Sequence, residues 1–184
     1  MRTLGLFCLL FVLMIAGCNR QPQQPAAAQP EYQLDYPIEE VMEHIIMPNA
    51  DLLWGSVETS VSEKGVDEKI PRTKDDWDRV QHYSVTLVEA TNLLLMPGRR
   101  VARAGAKAES PGDLAPEQIE ARIKEDPAMW TMHVHQLHDA ALLSVKAVDM
   151  KSVDGLLKAG DTLDKACESC HKIYWYPPKP GAKS

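Results

Sequence analysis

The chain has 184 residues, with 20 Lys and Arg against 26 Asp and Glu and a formal charge of −6. That balance argues against nonspecific nucleic-acid binding, and no basic aromatic surface motif accompanies it. As a pointer to a basic docking partner the acidity is weak, because solubility alone would explain it.

Arg2 followed by an apolar run from Leu4 to Ile15 reads as an export signal over residues 1–17. The run falls short of the roughly 20 apolar residues that a permanent membrane span needs. It ends in Ile15-Ala16-Gly17-Cys18, which resembles the bacterial lipoprotein box, where the cysteine is lipidated and becomes the first mature residue. The other reading is an ordinary cleaved signal with Cys18 unmodified. The lipoprotein resemblance implies an anchor on the periplasmic side of a bacterial membrane, and Asn19 is compatible with either the inner or the outer one. Residues 18–35 are rich in Gln, Pro and Ala; Pro22, Pro25 and Pro30 favour extended backbone, so this stretch reads as a semi-rigid tether. The folded domain is expected over residues 36–176, with a short tail at 177–184.

Within that domain the apolar residues recur with helical spacing. From Pro37 to Val57 the stripe is Ile38, Val41, Met42, Ile45, Leu52 and Leu53, with Pro48 expected to kink the helix. Thr73 with Asp76 predicts a capping box, opening a second helix whose stripe is Trp77, Val80, Ser84, Leu87, Val88, Thr91, Leu94 and Leu95. Pro97-Gly98 ends it. A long segment, 97–125, comes next, with Arg99, Arg100, Arg103 and Lys107 and then a short helix after Pro116; a connection of that length is either functional or an elaboration. Asp126 as cap and Pro127 at the first position open a third helix with Trp130, Val134, Leu137, Ala141, Ser144, Val145 and Val148 inward. The fourth runs from near Ser152 to about Tyr174, before Pro177-Pro178. No alternating strand pattern is visible. These elements predict an all-α fold, an antiparallel four-helix bundle with a long insertion between helices two and three.

Cys8 belongs to the signal and Cys18 to the lipid site, so the exported domain keeps only Cys167 and Cys170, too few for a disulfide framework. On the fourth helix Leu156, Gly160, Leu163, Cys167, Cys170 and Tyr174 form one continuous stripe, and His171 projects from the same side. Cys-x-x-Cys-His is the spacing for one covalently attached haem c: two thiols reach adjacent vinyl groups and the imidazole reaches the iron. A thiol-disulfide oxidoreductase needs a thiolate stabilised at a helix N-terminus, whereas this pair lies in the last turns, where the dipole disfavours negative charge. A structural zinc site needs further ligands, and no second cysteine pair exists. Gly160 either lets a helix or the haem edge approach closely or is a tolerated glycine.

Cys167-Glu-Ser-Cys170-His171-Lys-Ile-Tyr174 at the end of the last helix resembles the class II c-type cytochromes, the cytochrome c′ family. The resemblance spans about Pro37 to Tyr176 and implies a haem bound through Cys167, Cys170 and His171, with His171 as the proximal iron ligand. One departure is Trp175, where the family usually has Arg or Lys. If that base neutralises a haem propionate, Arg99, Arg100, Arg103 or Arg122 must replace it here, although each reads equally as part of a solvated loop.

The family divides over the sixth iron position, some members leaving it open to gases and others filling it with a methionine of the first helix. Met42 shares a helix face with Ile38, Ile45 and Asn49 and is the expected distal ligand; Met47 falls with Glu40, Glu43, Asp51 and Trp54 on a mostly polar face, and His44 sits beside the apolar stripe. Ordinary packing of Met42, ligation by His44 and an open site are the alternatives. His135 and His138 are placed for at most a weak surface metal site, and His133 for a hydrogen-bonded place nearer the core. The resemblance implies a membrane-tethered electron carrier, not itself an enzyme, serving redox partner proteins of the periplasm or membrane. A five-coordinate gas-binding protein and a haem subunit docked on a larger membrane oxidoreductase are the other readings. Family members often dimerise through their first two helices, so a homodimer is compatible with the resemblance.

Overall fold

Ile38–Val41 (α1) and Met47–Trp54 (α2) are α-helical, and Met42–Ile46 between them forms one π-helical turn, in a computed structural model that describes residues 32–178. Residues 1–17, Cys18, most of the 18–35 tether and residues 179–184 lie outside that range, so the signal and lipidation expectations fall outside the described residues. The π turn has a local cause. Pro48 has no N–H for the carbonyl of His44 and its ring crowds that carbonyl, so the ladder widens just before it. The N–H of Met47 accordingly donates to the oxygen of Met42, five residues back. One extra residue per turn rotates everything beyond it by about 100°. The buried stripe is therefore Ile38, Val41, Ile46, Ala50 and Leu53, while Leu52 is 49% exposed. The expected stripe, with Ile45 and Leu52, is displaced by one residue.

The first helix ends at Trp54, capped by Gly55, not at Val57. The segment after it corrects the strand-free expectation: Glu58–Ser62 (β1) and Gly65–Lys69 (β2) pair as an antiparallel hairpin, with Val61 opposite Val66. Gly65 takes φ +123° at the turn, a conformation that favours glycine. All ten strand residues are exposed, so the hairpin buries no face from which periodicity could be read.

Lys74–Leu94 (α3) opens on the expected capping box: Thr73 Oγ1 accepts from the Asp76 N–H at 3.1 Å and Asp76 Oδ2 accepts from the Thr73 N–H at 2.8 Å. Its expected stripe is buried except for Leu95, which is half-buried. Pro116–Glu125 (α4) is the short helix of the long connection. Pro127–Asp149 (α5) is capped by Asp126 Oδ1, which accepts from the Met129 N–H at 2.9 Å. Val153–Tyr174 (α6) is capped by Ser152 Oγ, which accepts from the Gly155 N–H at 3.0 Å.

The protein is mostly helical. The first helical segment packs on α3, α3 on α5, α5 on α6, and α2 returns to α6. The buried apolar residues of these segments form one core, joined by Val101 and Ala102 of the long connection and by Ile119 of α4. That connection also completes the fold's first helix. The N–H groups of Ile38 and Glu39 donate to the carbonyls of Arg100 and Val101, each at 2.9 Å, supplying partners that a helix start lacks on its own.

Candidate functional site

The site is built on the last two turns of α6. Leu156, Ala159, Leu163 and Ala166 bury one side of this helix, which carries Cys167, Cys170 and His171 half-buried beside them. All three line a single cavity of about 860 Å³, within the range of roughly 300–1,000 Å³ usual for ligand pockets. The first helical segment supplies another wall through Met42, Ile46, Met47, Ala50 and Trp54, and α5 supplies Trp130, His133, Val134 and Leu137. Glu39, Glu43, Glu109, Asp113, Asp164 and Glu168 also line it, and no Lys or Arg does among the described residues. A second groove of about 490 Å³, lined by Gln136, Leu143, Lys146 and Lys165 among others, contains none of the expected site residues.

Met42 and the Cys-x-x-Cys-His triplet thus share one cavity, although 125 residues of sequence separate Met42 from Cys167. His44 lines no part of it, and its side chain is 61% exposed. Met47 and Trp54, expected on a polar face, both line the cavity, because the π turn rotates them toward α6. Trp54 Nε1–H donates to the carbonyl of Gly160 at 3.2 Å. A Cβ at position 160 would lie 3.0 Å from Trp54 Cδ1; the close approach that Gly160 permits is therefore that of an indole from the first helix.

Burial pushes the Cys167 thiol up to about 11, helped by the charge of Asp164, and pushes Cys170 up to about 12. Both are thiols, not thiolates, at neutral pH, which is the wrong state for a dithiol nucleophile. Both are also free of any disulfide. Burial lowers the His171 pKa, opposed by the charge of Glu168, so the imidazole is held neutral, the form that offers a lone pair to a metal. Around the mouth, burial and then Glu109 raise the Glu39 carboxyl, with Glu43 and Glu40 adding to it.

Arg99, Arg100, Arg103 and Arg122, each expected as a possible partner for a haem propionate, are engaged elsewhere. Arg99 donates to the carbonyls of Leu93 and Tyr36, and Arg100 Nε donates to Glu120 at 2.6 Å. Arg103 forks onto Glu40, and Arg122 donates to the carbonyl of Ile173 at 2.5 Å. None lines the cavity.

Of the other histidines, His135 and His138 line no part of the cavity. His138 Nδ1 lies 3.0 Å from Thr91 Oγ1 and His135 is exposed. Among the described residues no group of three or more His, Cys, Asp or Glu is arranged to hold a metal ion. A haem iron would need no such group, because the porphyrin supplies four of its ligands. His133, expected to be hydrogen-bonded, is 5% exposed and neither ring nitrogen has a partner. The isolation of both nitrogens has no sequence signal, because it depends on everything packed around the ring.

The residues fit a c-type haem by the chemistry of the donor set. Two protonated thiols, a neutral imidazole and a thioether line one apolar-walled cavity, and one wall carries a buried imidazole with no protein partner. Comparison with protein-family models, with curated proteins and with solved structures finds no match to this chain.

Proposed function

We propose that this protein is a monohaem class II c-type cytochrome that carries single electrons in the bacterial cell envelope, tethered to the membrane by lipid on Cys18. The observation that carries the reading is the meeting of Cys167, Cys170, His171 and Met42 in one cavity. The closed ring of contacts among the four long helical segments is read as the antiparallel four-helix bundle that this family implies.

When bound, haem supplies one-electron exchange at its iron; burial, axial ligands and polar neighbours are the protein's means of tuning it. Cys167 and Cys170 would hold it through thioether bonds, with His171 as proximal ligand and Met42 as distal ligand. Met ligation raises the reduction potential relative to His ligation, which suits a carrier. Ile46, Trp130, Val134 and Leu137 present apolar surface to the cavity and exclude water. The acidic residues around Glu39 and Glu109 suit a basic surface on the redox partner, by charge complementarity that favours fast encounter. No catalytic residue is assigned, and the carrier is proposed not to be an enzyme itself.

Expression in a host with haem-attachment machinery tests the reading. The wild type is expected to keep haem through denaturing electrophoresis, and Cys167→Ala combined with Cys170→Ala to lose it. A wild type that acquires no covalent haem in that host sinks the proposal.

A further inference from the structure

Between α3 and α4 the chain passes along the rim of the cavity. At one end Arg103 is fixed to α1, forking onto Glu40 with Nη2 2.8 Å from Oε2. At the other the Leu114 N–H donates to the carbonyl of Trp175, next after α6, at 2.8 Å. Residues 104–113 therefore stretch from the wall built by the first helix to the wall built by α6, and Glu109, Ser110 and Asp113 line the cavity on the way. Little holds this strap down between its anchors. Its backbone N–H bonds are local, Ala106 to Arg103 O and Asp113 to Ser110 O, each at 3.1 Å, and Ser110 to Asp113 Oδ2 at 3.0 Å. Among its side chains Ala106 alone packs against the core, and is only half-buried. Its one polar side-chain contact with a wall, among the described residues, joins two acids, Glu109 and Glu39 of α1. Segments with few buried contacts and only local hydrogen bonds open at small cost in free energy.

Two glycines mark where the strap turns. Gly105 has φ +83° and Gly112 φ +112°, a region that favours glycine. A Cβ at either would meet nothing within 4 Å, so neither makes room for a neighbour; each supplies backbone freedom near an anchor. The acid contact works against a shut strap. Glu43 adds negative charge beside it, and no Lys or Arg lines the cavity to offset it among the described residues. We propose that residues 104–113 are a gate: a strap that turns on Gly105 and Gly112, drawn in against α1 or swung out from it, and biased outward by repulsion between the carboxylates of Glu109 and Glu39. A contact that opposes closure gives two populated positions, because the anchors limit how far the strap can leave. The gate stands apart from the haem reading, since it acts on any group the cavity holds by setting what size of solute reaches it.

The test uses the full chain as purified, with any bound iron kept reduced. Spin labels at Ala108→Cys on the strap and Asp51→Cys on α2, both exposed positions, report their separation by pulsed electron double resonance; the chain without these two substitutions gives the background. The otherwise unaltered chain is expected to show two separations. Glu109→Gln and Glu39→Gln each collapse them toward one, and Glu109→Lys, which pairs with Glu39, leaves one. Glu117→Gln, on α4 outside the cavity, changes nothing. A neutral gadolinium chelate serves as a bulky solute. Its relaxation enhancement at the Val134 and Leu137 methyls of the cavity wall falls several-fold in Glu109→Lys. A single separation before Glu109 is changed, two separations persisting in Glu109→Lys, or an unmoved enhancement there overturns the gate. Whether the chain carries haem is a separate result, which bears on the haem reading alone.

Discussion

Trp54 Nε1 donates to the carbonyl oxygen of Gly160 across 106 positions of sequence, at 3.2 Å. The bond ties the end of the first helical segment to α6 about two turns before Cys167, and Trp54 lines the cavity it helps to close. A Cβ at position 160 would press on the indole and require it to shift by a few tenths of an ångström.

Gly160→Ala is therefore expected to destabilise the fold, although alanine is the better helix former by about 1 kcal/mol. The added methyl meets Trp54 Cδ1 at 3.0 Å, and the hydrogen bond restrains the indole from moving away. Overpacking costs about 1–3 kcal/mol, so a net loss on the order of 1 kcal/mol should appear in denaturant unfolding. A gain in stability would show that Trp54 moves freely.

The distal ligand separates the two methionines and the histidine of the first helix. Met42→Ala in the haem-loaded protein is expected to convert a low-spin reduced spectrum to a high-spin one that responds to carbon monoxide. His44→Ala should leave the spectrum unchanged, since that side chain is exposed and outside the cavity. Rapid carbon monoxide binding by the wild type would instead favour the open-site, gas-binding reading.

Acid stability should depend on the cap of α3. The backbone N–H and hydroxyl of Thr73 and the backbone of Arg72, set against desolvation and helped by Arg79, hold the Asp76 carboxyl at about 2, below its ordinary 3.8. A depressed carboxyl contributes stability that is present above its unfolded pKa and lost as pH falls through the folded value. Between pH about 4 and 2 the wild type is expected to lose more stability than Asp76→Asn, measured by denaturant midpoints at each pH. Parallel pH curves for the two proteins would refute the assignment.

A gain in stability is expected at the α5–α6 link. Lys151 has φ +46°, and the Lys151 and Ser152 N–H groups donate to the carbonyls of Val148 and Ala147, each at 2.9 Å. This is the Schellman closure, which glycine fills without a Cβ penalty. Lys151→Gly should stabilise the protein by about 1 kcal/mol, read as a rise in melting temperature with the haem spectrum unaltered.

Local chemistry was legible in the residues. The caps at Thr73 and Asp126, the start of α6 near Ser152 and most of the stripes of α3 and α5 depend on spacings within one helix and lie where those spacings predict, with Leu95 and Val145 only half-buried. The candidate triplet on α6 is likewise a matter of positions 167, 170 and 171. The hairpin at 58–69 left no such trace because every strand residue is exposed.

By itself the sequence determined a mostly helical domain and singled out the triplet Cys167, Cys170 and His171, because helix periodicity and motif spacing act over one or two turns. Only the tertiary structure decided what stands around them. The π turn before Pro48 shifted the first helix by one residue, bringing Met47 and Trp54 to the cavity beside Met42. The 97–125 segment proved to cap α1 through Arg100 and Val101, a pairing no local pattern announces. The isolation of the His133 nitrogens is likewise a property of everything packed around them, and no stretch of chain contains it.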